Sequence, residues 1–152
     1  MESPQDNRFS SQYLNLAEER LGSVVLATTD DFFAKKENVI KPGRGIFIPG
    51  KFTDDGKWMD GWESRRKRIP GHDWCSIRLG APGKIRALDI DTNHFTGNFP
   101  PFASLEACEI TGDPDDSTEW TELLAKSPLK GTSQNFFEVS GDQRWTHVRL
   151  HI

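Results

Sequence analysis

From Lys57 to Trp74 the chain reads Lys-Trp-Met-Asp-Gly-Trp-Glu-Ser-Arg-Arg-Lys-Arg-Ile-Pro-Gly-His-Asp-Trp, and this stretch holds three of the five tryptophans. So many acids, bases and breakers together suit no regular element. The segment reads as structured loops on a rigid scaffold, the usual seat of a site. Asp60 and Glu63 can serve as acid or base, or pair with the neighbouring arginines. Arg65 and Arg66 offer planar, bidentate donors to a carboxylate. His72 can move protons near neutral pH. Trp58 and Trp62 can wall a pocket and keep water out. The bland alternative is a core role for the tryptophans and a solvated face for the basic run.

A second cluster runs from Asp89 to Asn98 (Asp-Ile-Asp-Thr-Asn-His-Phe-Thr-Gly-Asn). Asp89, Asp91 and His94 carry oxygen and nitrogen donors of the kind that hold a divalent ion such as manganese. The competing reading is an Asx-type turn, in which Asp, Asn and Thr side chains bond nearby backbone. No Cys/His pairing supports zinc, and no cofactor is firmly implied. A third cluster, Thr28 to Phe33, places Asp30 and Asp31 after a strand, where they line the same end of the fold or cap a turn. Nucleophile-elbow, zincin and phosphate-loop motifs are absent.

The elements that position these clusters read mainly as short strands. Trp74–Leu79 alternates, with Cys75, Ile77 and Leu79 on one face. His147–Ile152 alternates as well: Val148, Leu150 and Ile152 point inward, and His147, Arg149 and His151 outward to solvent. Further strands are expected at 24–28, 45–48, 85–90, 104–110 and 135–139, with a turn at Ala81-Pro82-Gly83. Ser10–Gly22 has helical spacing ended by Gly22, with a lead-in strand from Asn15 as the alternative. Many short strands between Gly/Pro/Asp/Asn turns predict an all-β sandwich or jelly roll. The inner layer is expected to include Cys75, Ile77, Leu79, Ile85, Val148 and Leu150.

A chain of 152 residues, 35% hydrophobic and 28% charged, suits one domain with a core. The division expected is a polar segment over 1–14 and one domain over 15–152. A net charge of −4 disfavours nucleic acid and anionic membranes as partners. The polar start is no secretory signal, and two cysteines make no disulfide framework. Cys75 and Cys108 read as buried thiols of a cytoplasmic protein.

Several runs, taken in order, resemble the allantoicase family: ATTDDFFAKKENVIKPG (27–43), FIPGKFTDDGKWMDGWESRRKR (47–68), PGHDWCSIRLGAPGKI (70–85), DIDTNHFTGNFPP (89–101) and QRWTHVRLHI (143–152). The resemblance begins near Leu14, and its most specific parts are the KWMDGWE-x-RRKR run with GHDW and the DxDTxHFTGN run. It implies a jelly-roll β-sandwich of the galactose-binding, discoidin-like type. It also implies hydrolysis of allantoate to ureidoglycolate and urea in purine catabolism, and two tandem repeats in a homo-oligomeric protein. The chain corresponds to the first repeat. Because Ile152 falls in mid-alternation, the last strand is expected to be missing and the isolated repeat to be a poor catalyst.

Allantoate carries a carboxylate and two ureido groups on one carbon. A site must hold the carboxylate, protonate the leaving urea and deliver water. Arg65 or Arg66 suits the first task, with Lys57 and Trp62 also lining the substrate. Glu63, His72, Asp91 and His94 are the acid–base candidates. The rival reading is a non-catalytic ligand-binding jelly roll or an inactive paralogue. Loops 57–73 and 91–98 are expected to meet at one end of the sandwich.

Overall fold

The computed structural model describes residues 9–152. Nine strands follow in order: β1 (Val24–Thr28), β2 (Phe52–Thr53), β3 (Gly56–Lys57), β4 (Trp74–Lys84), β5 (Ala87–Asp91), β6 (Phe102–Cys108), β7 (Thr121–Pro128), β8 (Gln134–Glu138) and β9 (Arg144–His151). The main sheet has the order β1-β4-β9-β6-β7, and β5-β8 forms a smaller sheet. All pairings are antiparallel. The last strand, β9, is central, with β4 on one side and β6 on the other, while β1 and β7 are the edges.

Alternation decides the faces. Cys75, Ile77, Leu105, Ala107 and Val148 point from the main sheet into a core with Val25, Leu79, Ile85 and Trp145. Leu88, Val139 and Leu150, half-buried, pack against that core. The expected inner layer is therefore present. Cys75 and Cys108 are free, buried thiols, and burial pushes the Cys75 thiol up to about 12.

The outward face of β9 differs from the expectation. His147 is only 2% exposed. Its Nε2 lies 3.0 Å from Asp113 Oδ1, and Arg78 in turn grips that carboxylate. Segment 109–120 folds over this face of the sheet, so pointing away from the core does not mean facing solvent. The hydrogen bond to His147 and the Arg78 charge hold the Asp113 carboxyl below its usual value.

Three other expectations give way to tertiary contacts. Residues 10–22 form turns and one 3-10 turn, Glu19–Leu21. Asn15 takes the Ala17 N–H on its own side chain, and the Leu16 carbonyl accepts from Gly80 N and Ser23 Oγ instead of from a helical turn. Gly22 does terminate the element, with φ +107°. Ala81-Pro82-Gly83 is no turn; β4 runs through it with a bulge that spares the missing Pro82 N–H. Residues 45–48 have no partner strand among the described residues and stay coil, with Ile46 N held by Asp60 Oδ2 at 2.9 Å. Strand β7, whose Leu123 and Leu124 adjoin without alternation, gives little sequence signal.

The antiparallel order fixes where the loops go. β4 and β6 start, and β1, β5 and β9 finish, at one end of the sandwich. The long loops 29–73 and 92–101 both belong to that end. There Thr92 and Asn135, both buried, tie the turn after β5 to residues 130–133: Thr92 N donates to Ser133 O (2.8 Å) and Asn135 Nδ2 to Ile90 O (2.9 Å).

Candidate active site

The two loops meet. Asn98 Nδ2 donates to Glu63 Oε1 at 2.8 Å, and Gly61 lies so near the Phe95 ring that an added Cβ would sit 2.9 Å from it. The polar groups at this end sort into a loop layer and a sheet-face cleft.

In the loop layer, Glu63 exchanges backbone hydrogen bonds with Ala34, which docks segment 29–34 beside it. The Trp62 indole N–H donates to Asp30 O at 2.8 Å while its ring packs on the core. Arg65 Nε donates to Asp30 Oδ2 at 2.7 Å, and the guanidinium lies over Phe32. Burial opposes ionisation of Asp30, but the Phe32 N–H and Arg65 outweigh it and hold the carboxyl below its usual value. Asp30 thus anchors both a tryptophan and an arginine of the dense segment.

Alongside, Arg44 pairs with Asp89 and, at 3.3 Å, with Asp91. Partial burial alone would disfavour the Arg44 charge; the two carboxylates more than offset this and raise its pKa. Asp91 Oδ1 accepts from Asn93 N at 2.7 Å, the Asx turn weighed from sequence. His94, at φ +71°, stacks on Phe47 and donates through Nε2 to Gly45 O at 3.2 Å. Lys57 Nζ lies over the same Phe47 ring, 5.1 Å from its centroid. Among the described residues no three His, Cys, Asp or Glu side chains converge as a metal would need. With Asp89 and Asp91 turned to Arg44, this donor set does not fit manganese.

The second region lies on the outward face of the main sheet at the same end. His72 Nε2 is 2.8 Å from His151 Nδ1, and His151 Nε2 is 2.7 Å from Glu106 Oε1. Arg149 reaches the same carboxylate, with Nη2 at 2.5 Å. Burial resists ionisation of Glu106, but the His151 and Arg149 hydrogen bonds prevail and lower its pKa. His72, Ser104, Leu105, Glu106, Glu122 and His151 line a cleft of about 210 Å³. Pockets for drug-sized ligands run about 300–1,000 Å³, so this cleft suits a smaller molecule.

The regions share a ledge. Asp30 holds Arg65, and its neighbour Thr29 donates to Asp73 Oδ1 at 2.7 Å, next to His72. Lys67 closes the same loop onto Asp73. Of the residues expected at the site, Lys57, Trp62, Glu63, Arg65, Asp91 and His94 fall in the loop layer and His72 in the cleft. Arg66 is exposed between them in sequence. His151 and Glu106 were missed. Alternation assigned His151 to solvent, and nothing local in the sequence marks Glu106.

A five-stranded antiparallel sheet and the smaller β5-β8 sheet, with the β2-β3 hairpin and long polar loops at one end, make a jelly-roll module of the galactose-binding type. The CBM32-3 module of a family 31 glycoside hydrolase from Clostridium perfringens shares the fold, with a TM-score of 0.55 at 14% identity, over 93% of this chain and 82% of that one. The allantoicase-repeat family model matches residues 14–152. A probable allantoicase 1 of Burkholderia mallei is 47% identical over 100% of this chain and 45% of its own length. The crystal structure of allantoicase from Saccharomyces cerevisiae superposes with a TM-score of 0.78 at 30% identity, covering 97% of this chain and 46% of that one. The chain belongs to the allantoicase family. It spans about half the length of the curated relatives it matches. No described helix is long and apolar enough to cross a membrane.

Proposed function

We propose that the protein carrying this repeat hydrolyses allantoate to ureidoglycolate and urea, and that the loop end described above supplies the site. The observation that carries the reading is the family match over residues 14–152. The geometry gives it chemistry. Asp30 engages Arg65 through Nε, which leaves the two Nη nitrogens to grip the substrate carboxylate side by side, with Arg66 exposed nearby and Lys57 adding positive charge. Trp62 walls that corner, its indole fixed by Asp30.

Expulsion of urea is pushed by the lone pair on the remaining ureido nitrogen. His72, in its neutral form, takes a proton from the incoming water and returns it to the departing urea nitrogen. Water plus allantoate then balances ureidoglycolate plus urea. The Glu63 carboxylate offsets the positive charge that builds on the central carbon. Asp91 and His94, through Arg44 and Gly45, hold the loop that carries residues 44–47 against this corner. No step runs through a metal.

In the intact protein a second repeat packs against this one within a homo-oligomer of the cytoplasm, where buried Cys75 and Cys108 stay reduced. The test is urea release by the intact protein, with allantoate, allantoin and arginine offered separately. Release from allantoate alone is expected. Release from arginine and not from allantoate would overturn the reading.

A further inference from the structure

We infer that Glu106 and His151 form a positioning relay that fixes the tautomer of His72 and leaves a basic nitrogen at its Nδ1. This rests on the proposed function only for what the base then acts upon; the relay itself rests on the hydrogen-bond geometry. A carboxylate can only accept. With Glu106 ionised and already gripped by Arg149 Nε (2.6 Å) and Nη2 (2.5 Å), the contact from His151 Nε2 at 2.7 Å requires the proton on that nitrogen. Neutral His151 is then an acceptor at Nδ1. Nδ1 lies 2.8 Å from His72 Nε2, so His72 must donate there and carry its own proton on Nε2. The lone pair of neutral His72 is left on Nδ1, a nitrogen with no protein partner among the described residues.

The arrangement is built into the sheet. Glu106 pairs across β6 and β9 with Arg149, and Ser104 with His151, while Trp74 faces His151 from β4. The acceptor is thus mounted on the central strands, and only the terminal imidazole sits in a loop. Arg149 is fixed further by the rings of Trp74 and Trp120, at 5.5 and 4.4 Å. An exposed histidine alone would rotate between tautomers and rotamers. Here the carboxylate, two strands away, sets both. The groups facing His72 and His151 are Glu106 from β6, Glu122 from β7, Arg149 from β9, and Asp73 with Lys67 from the loop. Neither histidine acts as a metal ligand in this scheme.

Nitrogen-15 spectra of the intact protein, labelled at histidine and recorded near pH 8, read the tautomers without reference to activity. Both rings are expected as Nε2–H. In Glu106→Leu the acceptor for the His151 Nε2–H and for Arg149 is gone, and His72 is expected as a mixture of tautomers. In the same variant kcat on allantoate is expected to fall about 10²-fold or more with KM held, the scale of a lost general base. His151→Phe should release His72 to a mixture of tautomers, and a thermal melt separates that from unfolding. A wild-type His72 found as Nδ1–H, or a folded Glu106→Leu variant with unchanged tautomers, would overturn the relay. Correct tautomers in a protein that releases no urea would leave the relay standing and sink the functional reading instead.

Discussion

The loop layer and the sheet-face cleft sit at the same end of the same sandwich, yet their polar groups are spent differently. In the loop layer, acids answer one another's neighbours: Asp91 takes Asn93 N and Arg44, and Asp60 takes Ile46 N. In the cleft the chain of hydrogen bonds runs one way, from Glu106 through His151 to His72, and ends on an imidazole at the surface. The first pattern holds a backbone in place, while the second leaves a reactive nitrogen at its end. A cluster rich in acids and bases is therefore weak evidence of chemistry until its internal hydrogen bonds have been counted off.

The sharpest way to break this comparison is to remove one member from each side. His72→Asn is expected to lower kcat on allantoate by about 10²–10⁴-fold with little change in melting temperature. Asp91→Asn should leave kcat within the same order of magnitude and lower stability by roughly 1 kcal/mol, the scale of a part-exposed ion pair. Steady-state urea release and thermal melts check both. If Asp91→Asn abolishes turnover in a folded protein, the loop layer holds the chemistry and the assignment reverses.

Arg65 tests the seam between the regions. Its side chain is 61% exposed, so Arg65→Ala should cost the fold no more than about 1 kcal/mol. Losing hydrogen bonds to a substrate carboxylate, each charged bond being worth roughly 1.5–3 kcal/mol, should raise KM about 10–150-fold. A KM unmoved by Arg65→Ala, measured beside Arg66→Ala, would shift the carboxylate grip to its neighbour.

How much of this was legible in the sequence depends on whether a residue's partner lies close along the chain. Alternation exposes Cys75, Ile77, Val148 and Leu150 because a strand's two faces are a local property. The dense segment stands out because its residue types crowd together. The relay was hidden because Glu106, His151 and His72 come from three separate stretches, and only the register of β6, β9 and β4 joins them. The helical spacing of 10–22 misled because its backbone is spent on Gly80 and Ser23. Glycines repeat the lesson. At Gly80 an added Cβ would meet Leu21 backbone at 2.7 Å, whereas at Gly97, in the loop layer, nothing lies within 4 Å. Gly80→Ala is expected to cost about 1–3 kcal/mol by overpacking, and Gly97→Ala no more than about 0.5 kcal/mol. Thermal denaturation of both variants decides. Equal melting temperatures would show that the 10–22 segment is not seated on β4.

The smallest effect separates the regions by acid and salt. Glu106 in the cleft and Asp30 in the loop layer both have folded-state pKa values below their ordinary ones. A depressed carboxyl stabilises the fold above its unfolded pKa, and that contribution is lost as pH falls through the folded value. The melting temperature should therefore drop on acidification below about pH 4, near the unfolded carboxyl pKa values. Glu106→Gln and Asp30→Asn should each flatten part of the drop. Salt then distinguishes them. The partner of Asp30 is Arg65, largely exposed, and its attraction is screened at about 1 M salt, where the Debye length is near 3 Å. Glu106 is held by His151 and Arg149, whose side chains are 20% and 27% exposed, at hydrogen-bond distance under two tryptophan rings, where mobile ions enter poorly. High salt should thus erase the difference between wild type and Asp30→Asn on the acid limb and preserve the difference between wild type and Glu106→Gln. If salt erases both, the cleft is as wet as the loop layer, and the contrast between a solvated scaffold and a sheltered relay fails.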